Sequence, residues 1–147
     1  MGFKEISADG LDYNLFVPDE WVSDISTGVT SAYFSMTDRS NISVITSNLT
    51  NPIETLEEYW AIYEPEIKEM FSDFEYVREL EEVTLDGERA LQCVYTGTKS
   101  GKKYQIMQLT AIYKGYYYIF TYTAEPEKYD EHFEDVQAIL GYFDFLG

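Results

Sequence analysis

RALQCVYTGTKSGKKYQIMQLTAIYKGYYYIFTYTA, residues 89–124, carries the clearest strand signal in this 147-residue chain. It contains five lysines and arginines and no carboxylate, although the whole chain has a formal charge of −17. Its second half is aromatic and β-branched, a composition that favours strands. The stretch therefore indicates where the sheet of an otherwise strongly acidic protein lies.

Three dipeptides divide this region into segments of strand length. Each ends in the glycine that a two-residue hairpin loop needs: Asp86-Gly87, Ser100-Gly101 and Lys114-Gly115. Three consecutive hairpins make an antiparallel meander, and its predicted strands are about Phe74–Leu85, Arg89–Thr98, Lys102–Tyr113 and Tyr116–Ala124. Apolar residues occupy both faces of the third strand, which predicts that the sheet is covered on both sides. The same covering accounts for the missing carboxylates, because charge is costly between packed layers.

The remaining elements complete an α+β domain. The segment before the meander predicts three strands, about Leu11–Val17, Val29–Met36 and Ile42–Ser47. A helix is predicted to begin at Asn51-Pro52, with a kink or a break into two helices at Pro65. A last helix is predicted from Pro126 to about Gly141, before a short aromatic tail. The predicted order is β-β-β-α-β-β-β-β-α.

This order describes a largely antiparallel sheet of about six to seven strands flanked by helices. The length suits one domain over 1–147. Residues 1–10 are predicted to be a poorly ordered or edge segment.

Composition excludes several classes of function. Ten lysines and arginines against 27 aspartates and glutamates argue against nucleic acid and against an anionic membrane surface. No stretch approaches the ~20 apolar residues of a membrane span. The first residues, MGFKEIS, lack the apolar segment of a signal peptide, so none is predicted in this chain. A single cysteine permits no internal disulfide, and no cofactor motif is present.

Three short motifs resemble the PsbP-like superfamily. They are VPDEWV (17–22), VTLDGERALQCVYTG (83–97) and GYYYIFTYTA (115–124) with the helix and aromatic tail after it. The similarity spans about residues 11–145. The superfamily includes the extrinsic photosystem II protein, a Ran-release factor of eukaryotes, and many bacterial lipoproteins or secreted domains of unknown function. Its fold, an antiparallel sheet flanked by helices, agrees with the predicted elements.

The resemblance is closest to the bacterial members. The chain has no plant-type N-terminal extension and no match to a Ran-binding surface, so neither specialised function carries over. The resemblance implies an extracytoplasmic protein of the cell envelope or a secreted one. A lipid anchor in the native precursor is compatible with it.

The sequence gives little support for catalytic or metal-binding residues. His132 is the only histidine and is predicted to be a surface residue among the carboxylates of the last helix. Cys93 lies in a strand and is predicted to be a buried, unreactive thiol. The acidic residues between Glu54 and Glu88 lack a calcium-loop pattern and are interpreted as a solvated face. No catalytic, cofactor or metal residue is therefore predicted.

Two groups of residues are candidates for binding. Lys99, Lys102 and Lys103 form a cationic hairpin tip that could meet an anionic group on a partner, or simply a polar turn. Tyr116, Tyr118 and Tyr122 share one strand face. They predict a core if helices cover that face and a flat binding platform if none does. An aromatic pocket near Trp21, Trp60 and these tyrosine-rich strands is the further candidate.

The sequence therefore predicts a non-catalytic accessory or interaction domain whose partner is an unknown protein or a small ligand. The resemblance alone implies that it belongs to a bacterial extracytoplasmic protein. The alternative is a domain that binds a small ligand or metal ion through an aromatic pocket or an acidic cluster.

Overall fold

The predicted meander forms one side of a seven-stranded antiparallel sheet in a computed structural model that describes residues 2–7, 12–24, 30–48 and 55–146. Its strands are β4 Val22–Ser23, β5 Thr30–Tyr33, β6 Asn41–Asn48, β7 Ser72–Leu85, β8 Glu88–Lys99, β9 Lys102–Tyr113 and β10 Tyr116–Ala124. Their order across the sheet is β4-β5-β6-β10-β9-β8-β7. The predicted α+β class is confirmed.

The three hairpin turns adopt the backbone that their sequences predict. In each turn both residues have positive φ, for example 49° at Asp86 and 80° at Gly87. This is the condition for a type I′ turn, whose twist matches that of the flanking strands. Strands β9 and β10 begin and end where predicted, and β7 and β8 are each two residues longer than predicted.

Two helices cover opposite faces of this sheet. Helix α1, Leu56–Met70, lies on one face, and helix α2, Pro126–Tyr142, lies on the other. Alternation along β10 sends Tyr118, Phe120 and Tyr122 towards α2, and Tyr117 and Ile119 towards α1. The result is two separate hydrophobic clusters with the sheet between them.

Two small two-stranded sheets extend the α2 layer. Strand β1 (Phe3–Glu5) pairs with β3 (Phe16–Pro18), and β2 (Tyr13–Asn14) pairs with β11 (Asp144–Phe145). Apolar residues of these segments join the α2 cluster, which closes its ends. The single first strand predicted for this segment is therefore divided into β2 and β3, and the aromatic tail forms β11.

Helix α1 differs from its prediction. Its N-cap is Thr55, which accepts a hydrogen bond from the Glu58 amide at 3.1 Å while the Glu58 carboxylate accepts one from the Thr55 amide at 3.1 Å. The predicted start at Asn51-Pro52 lies outside the described residues. Of the kink or break predicted at Pro65, the break is wrong, because α1 is one helix. Buried residues on both sides of the proline, Trp60 and Ile67 among them, hold its two halves on the same sheet face.

Other element boundaries differ from the predicted ones by a few residues. Strand β5 ends at Tyr33, so Met36, predicted to lie in it, is outside the strand and 69% exposed. Helix α2 continues through Gly141 to Tyr142. Neither α1 nor α2 combines the length and apolar character needed to cross a membrane.

Gly97 sets how closely α1 approaches the sheet. A Cβ atom at Gly97 would lie 2.6 Å from Cβ of Phe71, the residue that caps the end of α1. We expect Gly97→Ala to lower the free energy of unfolding by about 1–3 kcal/mol, the cost of overpacking a close contact. Urea denaturation measures this, with Gly141→Ala as the matched control because nothing lies within 4 Å of its new methyl group. Equal stability of the two variants would contradict the close approach.

Candidate functional site

His132 is buried, so its prediction as a surface residue is wrong. Its side chain is 2% exposed, and its ring centre lies 4.0 Å from that of Phe34. Nε2 of His132 is 2.7 Å from Oδ2 of Asp38, in the loop between β5 and β6. The prediction failed because His132 shares the apolar stripe of α2 with buried Tyr129 and Val136, three and four residues away.

Asp38 completes a hydrogen-bonded latch between this loop and α2. Its Oδ1 accepts hydrogen bonds from the Ser40 hydroxyl at 2.7 Å and the Ser40 amide at 3.1 Å. Burial by itself raises the pKa of the Asp38 carboxyl, but the hydrogen bonds from His132 and Ser40 outweigh it and lower the pKa to about 2. The carboxylate is therefore ionised and fully engaged.

The latch contains the one group of three potential metal ligands found among the described residues. Ligating atoms of Asp38, Glu131 and His132 lie within 4.8 Å of one another. The direct bond between Asp38 and His132 already satisfies two of these groups. We interpret the group as a structural connection.

Cys93 is a buried thiol, as predicted. It is 1% exposed on the α1 side of β8. Burial, together with a smaller contribution from the nearby carboxylate of Glu64, raises the pKa of this thiol to about 12. A thiol in this state is not a nucleophile near neutral pH.

The aromatic candidates divide between the two layers. Tyr118 and Tyr122 are core residues under α2, and the Tyr122 hydroxyl donates a hydrogen bond to the Tyr129 backbone oxygen at 2.7 Å. Tyr116, at the start of β10, is 39% exposed. Trp21 belongs to the α2 cluster and Trp60 to the α1 cluster, so the structure does not bring the two tryptophans together.

The three lysines of the hairpin tip do not form one free cationic patch. Lys99 and Lys102 lie directly opposite each other on β8 and β9, an unfavourable pairing of like charges. Lys102 forms an ion pair with Glu125 at 3.5 Å. Lys103 lies on the other face of its strand. Lys99 alone of the three borders the largest concavity described below.

That concavity lies on the α1 face of the sheet, where the helix leaves β6 and β10 uncovered. We call it the sheet groove. It has a volume of about 520 Å³ and is lined by Asn41, Ser43, Ile45, Tyr63, Met70, Phe71, Tyr95, Lys99, Ser100, Tyr104, Ile106, Gln108, Ile119, Thr121 and Thr123. Its size and mixed lining are typical of ligand sites.

The polar groups of the sheet groove form a row across the strands. Ser43 of β6 pairs with Thr121 of β10, which pairs with Gln108 of β9. The Gln108 amide is 6% exposed; it accepts from the Tyr95 hydroxyl and donates to the Thr121 hydroxyl, both at 3.4 Å. These bonds are long, so the row retains hydrogen-bonding capacity. Ile45 and Met70 at the rim are 42% and 48% exposed.

The sheet groove is free of acidic groups. No carboxylate is among its described lining residues, and Lys99 supplies its one formal charge. Burial explains this only in part. Among the lining residues of the stretch 89–124, Lys99 and Ser100 are exposed and Tyr104, Thr121 and Thr123 are partly exposed, whereas Tyr95, Ile106, Gln108 and Ile119 are buried. Part of the carboxylate-free stretch thus lies on an open surface.

Sequence reasoning missed the sheet groove. The available signal was the polar alternation of Asn41 and Ser43 on β6 with Thr121 and Thr123 on β10, which interrupts an otherwise apolar face. That alternation marks uncovered positions on a sheet. The alternation does not indicate where α1 lies, and the position of α1 determines how much of the sheet face stays open.

Comparison with known proteins supports the fold. No protein-family model matches the chain, and no curated protein matches it. The cyanobacterial PsbP protein (CyanoP) of Synechocystis sp. PCC 6803 is similar in structure, with 15% identity, a TM-score of 0.68, and coverage of 97% of this chain and 92% of that one. LpqN of Mycobacterium tuberculosis, described as involved in cell envelope biogenesis, has 19% identity, a TM-score of 0.72, and coverage of 99% and 92%.

A third similar structure is that of a point mutant of the protein Mog1. It has 13% identity and a TM-score of 0.65, and the match covers 99% of this chain and 97% of that one. These identities are low, but the matches extend over nearly the whole of each chain. The fold that the resemblance implied is therefore confirmed: the chain has the PsbP-like fold that these three structures share.

Proposed function

We propose that this chain is a non-catalytic accessory or interaction domain of a bacterial extracytoplasmic protein, and that it binds its partner through the sheet groove. The observation that carries the proposal is the carboxylate-free lining of an open groove in a protein with 27 carboxylates. A merely solvated surface of this protein would be expected to carry acidic side chains there, as the outer faces of both helices do.

Structural relatives support the same class of function and location. The cyanobacterial PsbP protein and Mog1 share the fold, and LpqN is described as acting in cell envelope biogenesis. The buried states of His132 and Cys93 agree with a role that needs neither as a reactive group. An extracytoplasmic site, with or without a lipid anchor in the precursor, belongs to this proposal.

The test is site-specific photo-crosslinking with a matched pair of positions. Ile45 at the rim of the sheet groove is 42% exposed, and Ile62 on the outer side of α1 is 53% exposed. A photoreactive amino acid at position 45 is expected to give one discrete crosslinked product in the host cell, and the same residue at position 62 to give none. Equal products at both positions, or a product at 62 alone, would contradict the proposal.

A small ligand is the second candidate for the same groove, and its volume favours that alternative. Clefts of roughly 300–1,000 Å³ are typical of small-molecule sites. A thermal-shift screen against calcium, other divalent metals, sugars, peptides and metabolites separates the two candidates. A small ligand raises Tm by an amount that grows with the logarithm of its concentration above Kd. Ile45→Glu should abolish that rise, and Ile62→Glu should retain it. Without such a rise, the protein-partner proposal is favoured.

A further inference from the structure

Tyr129, on α2, has a buried hydroxyl with no partner. Its side-chain oxygen is the one buried polar side-chain atom that lacks a hydrogen bond among the described residues, and the residue is 5% exposed. Leaving a buried hydroxyl unpaired costs folding free energy. Native proteins contain few such groups, and each requires an explanation.

The residue borders a cleft on the face of the sheet opposite the sheet groove. We call it the α2 cleft. It has a volume of about 340 Å³ between the first half of α2 and strands β7 to β9, and it is lined by Val77, Arg78, Glu81, Gln92, Val94, Gln105, Tyr129, Asp130 and Phe133. Burial raises the pKa of Tyr129, Asp130 raises it further and Arg78 lowers it. The hydroxyl is therefore near two charged groups that line the cleft.

The edge strand β7 is irregular beside this cleft. Its pairing with β8 shifts register on both sides of Arg78, between Tyr76 and Arg78 and again between Arg78 and Glu81. Val77 is 54% exposed as a result. Bulges of this kind occur preferentially at sheet edges and beside functional sites, where they redirect side chains.

The charges of the α2 cleft leave one carboxylate available. Arg78 is engaged by Glu81 through two hydrogen bonds, at 3.2 and 3.3 Å. Within the described part of the chain, no cationic group forms an ion pair with Asp130. The rings of Tyr129 and Phe133 stack with centres 5.7 Å apart and an angle of 28° between their planes. An acceptor oxygen, a carboxylate and two aromatic rings therefore meet in one cleft.

We infer that the α2 cleft binds a lysine or arginine side chain of a partner protein. The Tyr129 oxygen accepts an N–H hydrogen bond from the ammonium or guanidinium group, and Asp130 supplies the opposite charge. The aromatic rings favour a cation over a neutral group. The overall charge of −17 attracts basic partners to this surface.

The experiment is an NMR titration of the full chain with two probes, acetyl-Ala-Lys-Ala-amide and its uncharged analogue with norleucine in place of lysine. The lysine peptide is expected to shift amides around Tyr129 and Gln92, and the norleucine peptide to leave them unchanged. Tyr129→Phe should lower the affinity for the lysine peptide by roughly tenfold, the loss typical of one hydrogen bond to a charged group. Asp130→Asn should lower this affinity by a similar factor.

Two controls separate binding from folding. Tyr129→Phe removes a hydroxyl that has no partner, so its Tm should equal or exceed that of the parent. Glu134→Gln removes one exposed charge from the same helix and should change affinity by less than about twofold, because exposed charges away from the contact act weakly.

Equal binding of the two peptides, or unchanged affinity in Tyr129→Phe, would overturn the inference. So would a lysine peptide that shifts no amide of the α2 cleft. The sheet groove lies on the other face, so its own test is unaffected by any of these results.

Discussion

His132→Ala is expected to lower the free energy of unfolding by about 3 kcal/mol. Removing one member of a buried hydrogen-bonded pair leaves the other without its partner and typically costs roughly 3–5 kcal/mol. The lower end applies because Asp38 keeps 13% of its side-chain surface exposed and retains Ser40. Urea denaturation at pH 7 measures the change. Glu134→Ala, an exposed change on the same helix, should stay within about 0.5 kcal/mol. A His132→Ala variant as stable as Glu134→Ala would show that the latch is not formed.

The latch also makes stability depend on pH in a defined direction. The pKa of Asp38 is lowered in the folded state from 3.8 to about 2. A lowered carboxyl pKa stabilises the fold above the unfolded pKa, and that stabilisation is lost as pH falls through the folded pKa. Asp38 should therefore contribute about 2 kcal/mol above pH ~4.5, and this contribution should disappear near pH 2.

Asp38→Asn tests this directly. The stability difference between the parent and the variant should shrink as pH falls from 5 towards 2, measured by urea denaturation at each pH. A difference that is constant over this range would contradict an ionised Asp38 in the latch.

Trp21→Ala is expected to have the largest effect of any single substitution considered, about 4 kcal/mol. Trp21 is 1% exposed, and truncating a buried tryptophan removes apolar burial and leaves a cavity. Its ring contacts Phe34 and His132 edge-on, with centres 6.0 and 6.3 Å away, so the loss extends to the latch. Thermal and urea denaturation measure the change. A loss below about 1 kcal/mol would mean that the site is not a packed core.

The milder pair Trp21→Phe and Trp60→Phe tests whether the two clusters are independent. The two residues belong to separate clusters on opposite sheet faces, so their effects on the free energy of unfolding should add within about 0.5 kcal/mol. A coupling above about 1 kcal/mol would indicate one shared pocket, which the aromatic-pocket hypothesis from the sequence requires.

The hairpins were predictable because local chemistry determines them. The glycine after Asp86, Ser100 and Lys114 has the positive φ that a type I′ turn requires, and period-two alternation then sets the register. Burial of Cys93, Tyr118 and Tyr122 followed from the same alternation once both faces were expected to be covered.

The remaining features depend on contacts between distant parts of the chain. His132 meets Asp38 across 94 positions, and no local pattern indicates that pair. The burial of His132 could nevertheless have been predicted from the sequence, since His132 lies in helical register with Tyr129 and Val136. The sheet groove depends on where α1 lies across β8 and β9. Gly97 and Phe71 determine that position through a single close contact. The spacing of apolar residues along α1 does not predict this contact.

The sheet groove is our proposed binding surface of this domain. The most direct test is amide NMR of the intact chain with a panel of aromatic carboxylates, phenyl glycosides and short uncharged peptides. The prediction is that the members which bind shift amides of Ser43, Ile45 and Thr121, and that Ile45→Glu abolishes these shifts while Ile62→Glu preserves them. Binding that maps elsewhere on the surface, or shifts that persist in Ile45→Glu, would contradict a binding role for the sheet groove.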